Sequence, residues 1–161
     1  MKNGTTPCYI VGIDPGKRGA IAFVKEDFSM AQVYCMPKLD ETLIDFLISR
    51  RQKILLVAIE KQQPFPKQGV KSMFSLGFNY GILIGILKTL QIPYEEIPPR
   101  RWQKEMLGNG RKKRGESKKL SLKKAKALFP YLAENIGKHH GKSDALLIAE
   151  YARRYVLGKN E

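Results

Sequence analysis

Ile10-Val11-Gly12-Ile13-Asp14-Pro15-Gly16 joins an apolar, β-branched run to an acid and a turn. From Cys8 to Ile13 the run reads as a core strand, which Asp14-Pro15-Gly16 breaks with turn chemistry. Gly19 to Val24 and Ala31 to Met36 read as two further strands, with connections short and polar enough for an antiparallel meander. Leu39 to Arg51 carries Leu43, Phe46 and Leu47 at helical spacing, and Asp40 and Glu41 stand where a helix N-terminus favours negative charge. The strand that follows, Ile54 to Ile59, is almost wholly apolar, as expected of one buried on both faces, and it ends at Glu60.

Beyond Glu60, Lys61 to Gln68 holds two prolines and no periodicity and reads as a loop. Val70 to Leu90 is a long apolar helix pattern in which Gly77, Gly81 and Gly85 recur every fourth residue. One stripe of glycines lets another helix approach closely, within the chain or across a dimer, despite a helix cost of roughly 1 kcal/mol per glycine. Pro93 to Ile97 predicts a fifth strand, and a helix begins near Arg100 with the only tryptophan, Trp102. The last helix is expected from Ser143, as capping residue, to about Leu157. A chain of 161 residues with 43% hydrophobic residues supports one α/β domain spanning residues 1–161, with no internal repeat or linker.

Charge narrows the partner. There are 29 Lys and Arg against 15 Asp and Glu, a formal net charge of +14. Such a balance favours a polyanion, and nucleic acid gains affinity from counterions released by Lys and Arg. Nine of the sixteen residues from Arg111 to Lys126 are basic, including Arg111, Lys112, Lys113, Arg114, Lys118 and Lys119. Arg100, Arg101 and Lys104 extend the same surface. No run reads as a transmembrane helix and no signal peptide is evident, so a soluble, cytoplasmic (intracellular) protein without a membrane partner is expected. Cys8 and Cys35 lack metal-ligand spacing and are expected as buried, reduced thiols.

Three acids fall at special points: Asp14 and Glu60 end strands, and Asp144 lies in the first turn of the last helix. Each alone has a plain explanation as a turn residue, a surface ion pair or a dipole complement. Together they are hard oxygen ligands of the kind Mg²⁺ takes, provided that the first and fourth strands are neighbours and the last helix packs on them.

Ile10 to Gly16, Ala58-Ile59-Glu60-Lys61-Gln62 and Ser143-Asp144-Ala145-Leu146-Leu147-Ile148-Ala149 resemble the three signature segments of the RuvC family of Holliday junction resolvases, as a phage-like or divergent member. The resemblance implies a ribonuclease-H-like fold, with a mixed five-stranded sheet, the antiparallel meander first, flanked by helices. It implies a homodimer that nicks four-way DNA junctions symmetrically with two Mg²⁺ ions per site, Mn²⁺ substituting. Asp14, Glu60 and Asp144 would be the metal ligands.

The family's fourth catalytic position, three residues before the last aspartate, is Gly141 here, which cannot ligate. His140, in preference to His139, is expected to replace it as catalytic residue and metal ligand. Gln62, Gln63 and Phe65 resemble the family's loop at the junction crossover, where an exposed aromatic can stack on unpaired bases. The family's dimer uses the helix of Gly77, Gly81 and Gly85. The rival reading is a non-catalytic branched-DNA-binding protein on the same fold. An actin-like ATPase or sugar kinase would need two such lobes, more than this chain provides.

Overall fold

β-Branched and aromatic residues gather in five stretches that pair into one sheet, in the order β3-β2-β1-β4-β5. The computed structural model describes residues 6, 8–16, 18–64, 66–113 and 115–157. Strands β1 (Tyr9–Asp14), β2 (Ala20–Lys25) and β3 (Ala31–Cys35) form the expected antiparallel meander. Helix α1 (Glu41–Ile48) leads into β4 (Ile54–Glu60), and α2 (Val70–Thr89) into β5 (Tyr94–Ile97). Both β4 and β5 run parallel to the strand beside them, β4 against β1. After β5 come α3 (Pro99–Leu107), α4 (Glu116–Leu128), the single turn α5 (Ala133–Ile136) and α6 (His140–Tyr155).

Alternation along the strands divides the core in two. Val11, Ile13, Ile21, Phe23, Val57 and Ile59 face α1 and α2, which contribute Leu43, Leu47, Leu83 and Leu87. Ile10, Ala22, Val24 and Ala58 face the other way, toward α6 and the residues Trp102, Ala125 and Phe129. Asp14 and Glu60 therefore belong to the α6 face, in phase with Ile10 and Ala58.

Helix α6 is buried without interruption from Ala145 to Ala152. Gly12 sets how close it comes: a Cβ on Gly12 would lie 2.0 Å from the Ala145 carbonyl oxygen and 2.5 Å from the Ala149 nitrogen. The burial extends to Glu150, at 0% exposure, whose carboxylate accepts from Arg153 Nε at 2.6 Å and also from Arg154. Two charge-assisted partners offset the cost of removing that carboxylate from water.

Several expectations are corrected here. Helix α6 starts at His140, three residues before Ser143, and its N-cap is His139, whose side chain accepts from the Lys142 nitrogen. Asp144 thus sits in the second turn, and Ser143 is buried within the helix, donating to the His140 carbonyl at 2.8 Å. Neither thiol is fully buried: Cys8 is partly exposed and Cys35 exposed. The 20-residue α2, with mean hydropathy 1.4, is long and apolar enough to cross a membrane by length and composition. Its hydropathy combines a core face, where Leu83 and Leu87 are at most 1% exposed, with an outward apolar one, where Val70 is 79%, Phe74 72% and Phe78 59% exposed.

Substituting Gly12→Ala should lower the unfolding free energy by about 1–3 kcal/mol, the usual cost of overpacking, and more if α6 cannot retreat. The urea midpoint measures this, and an unchanged midpoint would show that α6 does not rest on the β1 backbone.

Candidate active site

Ile13 lies opposite Ile59 in the β1–β4 register, so Asp14 and Glu60 are the next residues along two adjacent parallel strands. Both fall where the strands leave the sheet, on the α6 face. Helix α6, seated on Gly12, carries Asp144 one residue before the Ala145 carbonyl that touches β1. Three distant stretches of chain thus bring their carboxyls to one end of the sheet.

Each acid has a fixed hydrogen-bond donor. Asp14 Oδ1 accepts from the Gly16 nitrogen at 3.0 Å, which is the plain turn role expected of an Asp before Pro-Gly. Glu60 Oε2 accepts from the Trp102 indole Nε1 at 2.7 Å, and Gln62 Nε2 is 3.5 Å from Oε1. Asp144 accepts from the Ser121 hydroxyl, whose oxygen lies 3.0 Å from Ser143 Oγ. Trp102 and Ser121 are each 1% exposed. They had no role at this site in the sequence reading, because their partners are 42 and 23 residues away in the chain.

The electrostatics follow from this convergence. Burial pushes the Glu60 carboxyl up to about 7, the Trp102 hydrogen bond opposes this, and the charges of Asp14 and Asp144 push it further. Burial likewise raises Asp144 to about 7, against the Ser121 hydrogen bond and with the Asp14 charge adding to the rise. Asp14 is raised by burial and lowered by the Gly16 hydrogen bond. Oxygen-only donors in a partly buried cluster of like charge suit a hard divalent cation, which removes the mutual repulsion. Among the described residues no group of three or more His, Cys, Asp or Glu side chains is close enough to hold a metal ion.

Asp14 and Asp144 open into a cleft of about 500 Å³, whose wall carries Arg18, Lys118, Lys138, His139 and His140. His139 is engaged in capping α6: its Nδ1 accepts from the Lys142 nitrogen at 3.1 Å, and its Nε2 is 3.8 Å from Cys35 Sγ. Among the described residues His140 Nδ1 is buried without a hydrogen-bond partner. The glycine at 141 also has a steric reason, since a Cβ there would lie 2.1 Å from the Arg18 carbonyl oxygen. An acid at that position would force the Arg18 turn and α6 apart.

Other expected residues spread around this cleft. Lys118 lines it, and Lys119, Arg111 and Lys113 are exposed. Arg111 and Lys112 instead border a second groove of about 590 Å³, shared with Arg100 and Lys104 of α3. Gln62 is half-buried beside Glu60 and Gln63 is exposed. Phe65 and Arg114 lie outside the described residues. Gly77, Gly81 and Gly85 are exposed on α2, and a Cβ on any of them would meet nothing within 4 Å among the described residues. The option of a helix packed on that stripe within the chain is thereby excluded for the described residues.

No family model and no curated protein matches the chain. Solved structures do match, T. thermophilus RuvC among them. Thermus thermophilus RuvC in complex with a Holliday junction substrate aligns at a TM-score of 0.59, covering 92% of this chain and 96% of that one at 16% identity. Another structure of T. thermophilus RuvC aligns at 0.55, covering 93% of this chain and 96% of that one, also at 16% identity. The chain has a RuvC-like, ribonuclease-H-like fold. In this RuvC-like frame the three acids stand on β1, β4 and α6, and their indole and hydroxyl partners come from α3 and α4.

The raised carboxyls carry a sign that stability measurements can read. A carboxyl with a raised folded-state pKa holds its proton more tightly folded than unfolded, so its contribution is present below the unfolded pKa of roughly 4 and lost as pH rises through the folded value. With folded values of about 7 for Glu60 and Asp144, the thermal midpoint in chelator should fall between pH of about 4 and about 7. Asp144→Asn should flatten that fall. A midpoint that climbs across this window contradicts the buried cluster.

Proposed function

We propose that the chain is a metal-dependent endodeoxyribonuclease that resolves four-way DNA junctions by paired symmetrical nicks, acting as a homodimer. What carries this reading is the meeting of Asp14, Glu60 and Asp144 beside a cationic cleft on a RuvC-like fold. Asp14, Glu60, Asp144 and His140 would hold two Mg²⁺ ions, with Mn²⁺ as substitute. Such ions, when bound, supply Lewis-acid stabilisation of the attacking and leaving oxygens of an in-line phosphodiester displacement.

The chain's own groups do the rest. Trp102 and Ser121 hold Glu60 and Asp144 in single orientations, which matters because a small displacement of a reacting group costs a large factor in rate. Arg18, Lys118 and Lys138 receive phosphate at the cleft, while Arg111, Lys112, Lys113 and Lys119 with the α3 bases bind the flanking duplex. Gln62 and Gln63, following Glu60, would meet the junction crossover. The second copy would pack on the outward face of α2, where Val70, Phe74, Phe78 and the glycine stripe leave apolar surface uncovered.

Asp14→Asn or Glu60→Gln should reduce incision of a labelled four-way junction by at least about a thousandfold, while junction binding in Ca²⁺ stays near wild type. Wild-type binding without incision in Mg²⁺ and in Mn²⁺ would favour the rival, a branched-DNA binder that does not cut. For the dimer, Gly81→Leu should shift sedimentation from dimer to monomer while the far-ultraviolet circular dichroism of the folded chain is retained, because a side chain there meets nothing within 4 Å among the described residues of its own chain. A dimer that tolerates Leu at position 81 assembles through another face.

A further inference from the structure

Lys71, Ser75 and Asn79 recur every fourth residue along α2 and so share one face, set apart from the outward apolar face of Val70, Phe74 and Phe78. With Ser72, Leu76 and Pro15 they wall a cleft of about 500 Å³. Pro15 directly follows Asp14, so this cleft starts one residue from a carboxyl of the site. The turn Asp14-Pro15-Gly16 stands between it and the cationic cleft, whose wall includes Asp14, Gly16, Arg18 and Lys118.

The lining has a consistent chemistry. No Asp or Glu occurs anywhere from Val70 to Thr89, and none of the described residues walling the cleft is acidic. Lys71 brings an ammonium, Ser72 and Ser75 bring hydroxyls, and Asn79 brings a carboxamide. Gln68, just before the helix, donates to Ser72 Oγ at 3.1 Å and fixes that hydroxyl. Ammonium, hydroxyl and amide donors without a competing carboxylate are the groups that contact phosphate and sugar oxygens, and they set position without reading sequence.

We propose that the cleft between Pro15 and α2 seats the sugar-phosphate backbone of the cut strand on one side of the scissile phosphate, the cationic cleft seating it on the other. The inference rests on the nuclease reading above and adds a second set of strand contacts to it. The cut strand crosses the Asp14 turn and is held at both flanks, so that its phosphate cannot slide past the carboxylates. The α2 flank grips by one positive charge and several neutral donors, and the Lys118 flank by several positive charges.

The test uses the full chain and synthetic four-way junctions in which single phosphates near the cleavage point are replaced by uncharged methylphosphonates. Wild type should lose about tenfold in Ca²⁺-supported binding when a phosphate on the α2 side is neutralised. Lys71→Ala should lose about the same on the unmodified junction, show no further loss with that methylphosphonate, and give a salt dependence shallower by about 1. Neutralisation on the Lys118 side should still weaken this variant. Asn79→Ala should behave likewise with a smaller loss.

Equal penalties in wild type and Lys71→Ala at every phosphate overturn the subsite while leaving the resolvase reading intact. So does a change in sedimentation caused by Lys71→Ala, which would mean that the cleft is covered by the second copy. A wild-type protein that neither binds nor cuts junctions overturns both readings at once.

Discussion

The rest of the molecule depends on the contact between the β1 backbone at Gly12 and the α6 backbone at Ala145 and Ala149. A Cβ at Gly12 would stand 2.0 Å from the Ala145 carbonyl oxygen, so helix and sheet meet without a side chain between them. Interiors pack densely and do not deform continuously, so this approach fixes the depth of α6 over the sheet. Asp144, adjacent to the contact, is thereby held on the same cleft wall as Asp14. Gly141 repeats the arrangement one turn earlier, where the Arg18 carbonyl oxygen occupies the space a side chain would need.

Placing three carboxyls together in a partly buried site is unfavourable, and the structure shows how the fold tolerates it. Trp102 and Ser121 each donate to one carboxyl, offsetting part of the burial that raises Glu60 and Asp144 to about 7. These donors come from α3 and α4, the same helices that carry Arg100, Lys104, Lys118 and Lys119. The cationic surface is thus covalently continuous with the groups that orient the acids. Lys118 shows this directly, since it lines the cleft and its charge favours ionised Asp144.

Helix α2 divides its circumference in an unusual way for a segment of such even hydropathy. One side packs Leu83 and Leu87 against the sheet, another exposes Phe74 stacked on Phe78 with ring centroids 6.0 Å apart, and a third turns Lys71, Ser75 and Asn79 toward Pro15. Apolar residues serve the first two faces, so they do not mark a single stripe. That distribution explains why the helix passes as a membrane span by composition while a polar side borders the candidate active site.

Local chemistry determined the strands, most of the helices and the three acids. β-Branched runs, Asp-Pro-Gly and the apolar Ile54 to Ile59 stretch act over a few residues, and that range is what a sequence displays. The resemblance of three segments to RuvC signatures supplied the fold that the solved structures then matched. Tertiary structure alone decided the start of α6, because His139 takes the cap and Ser143 is drawn into bonds with His140 and Ser121. It alone brought Trp102 to Glu60 and Ser121 to Asp144, and gave Gly141 a steric reason in place of a missing ligand. A hydrogen bond between residues far apart in the chain leaves no periodic trace, and an excluded Cβ is visible only when the opposing backbone is in place.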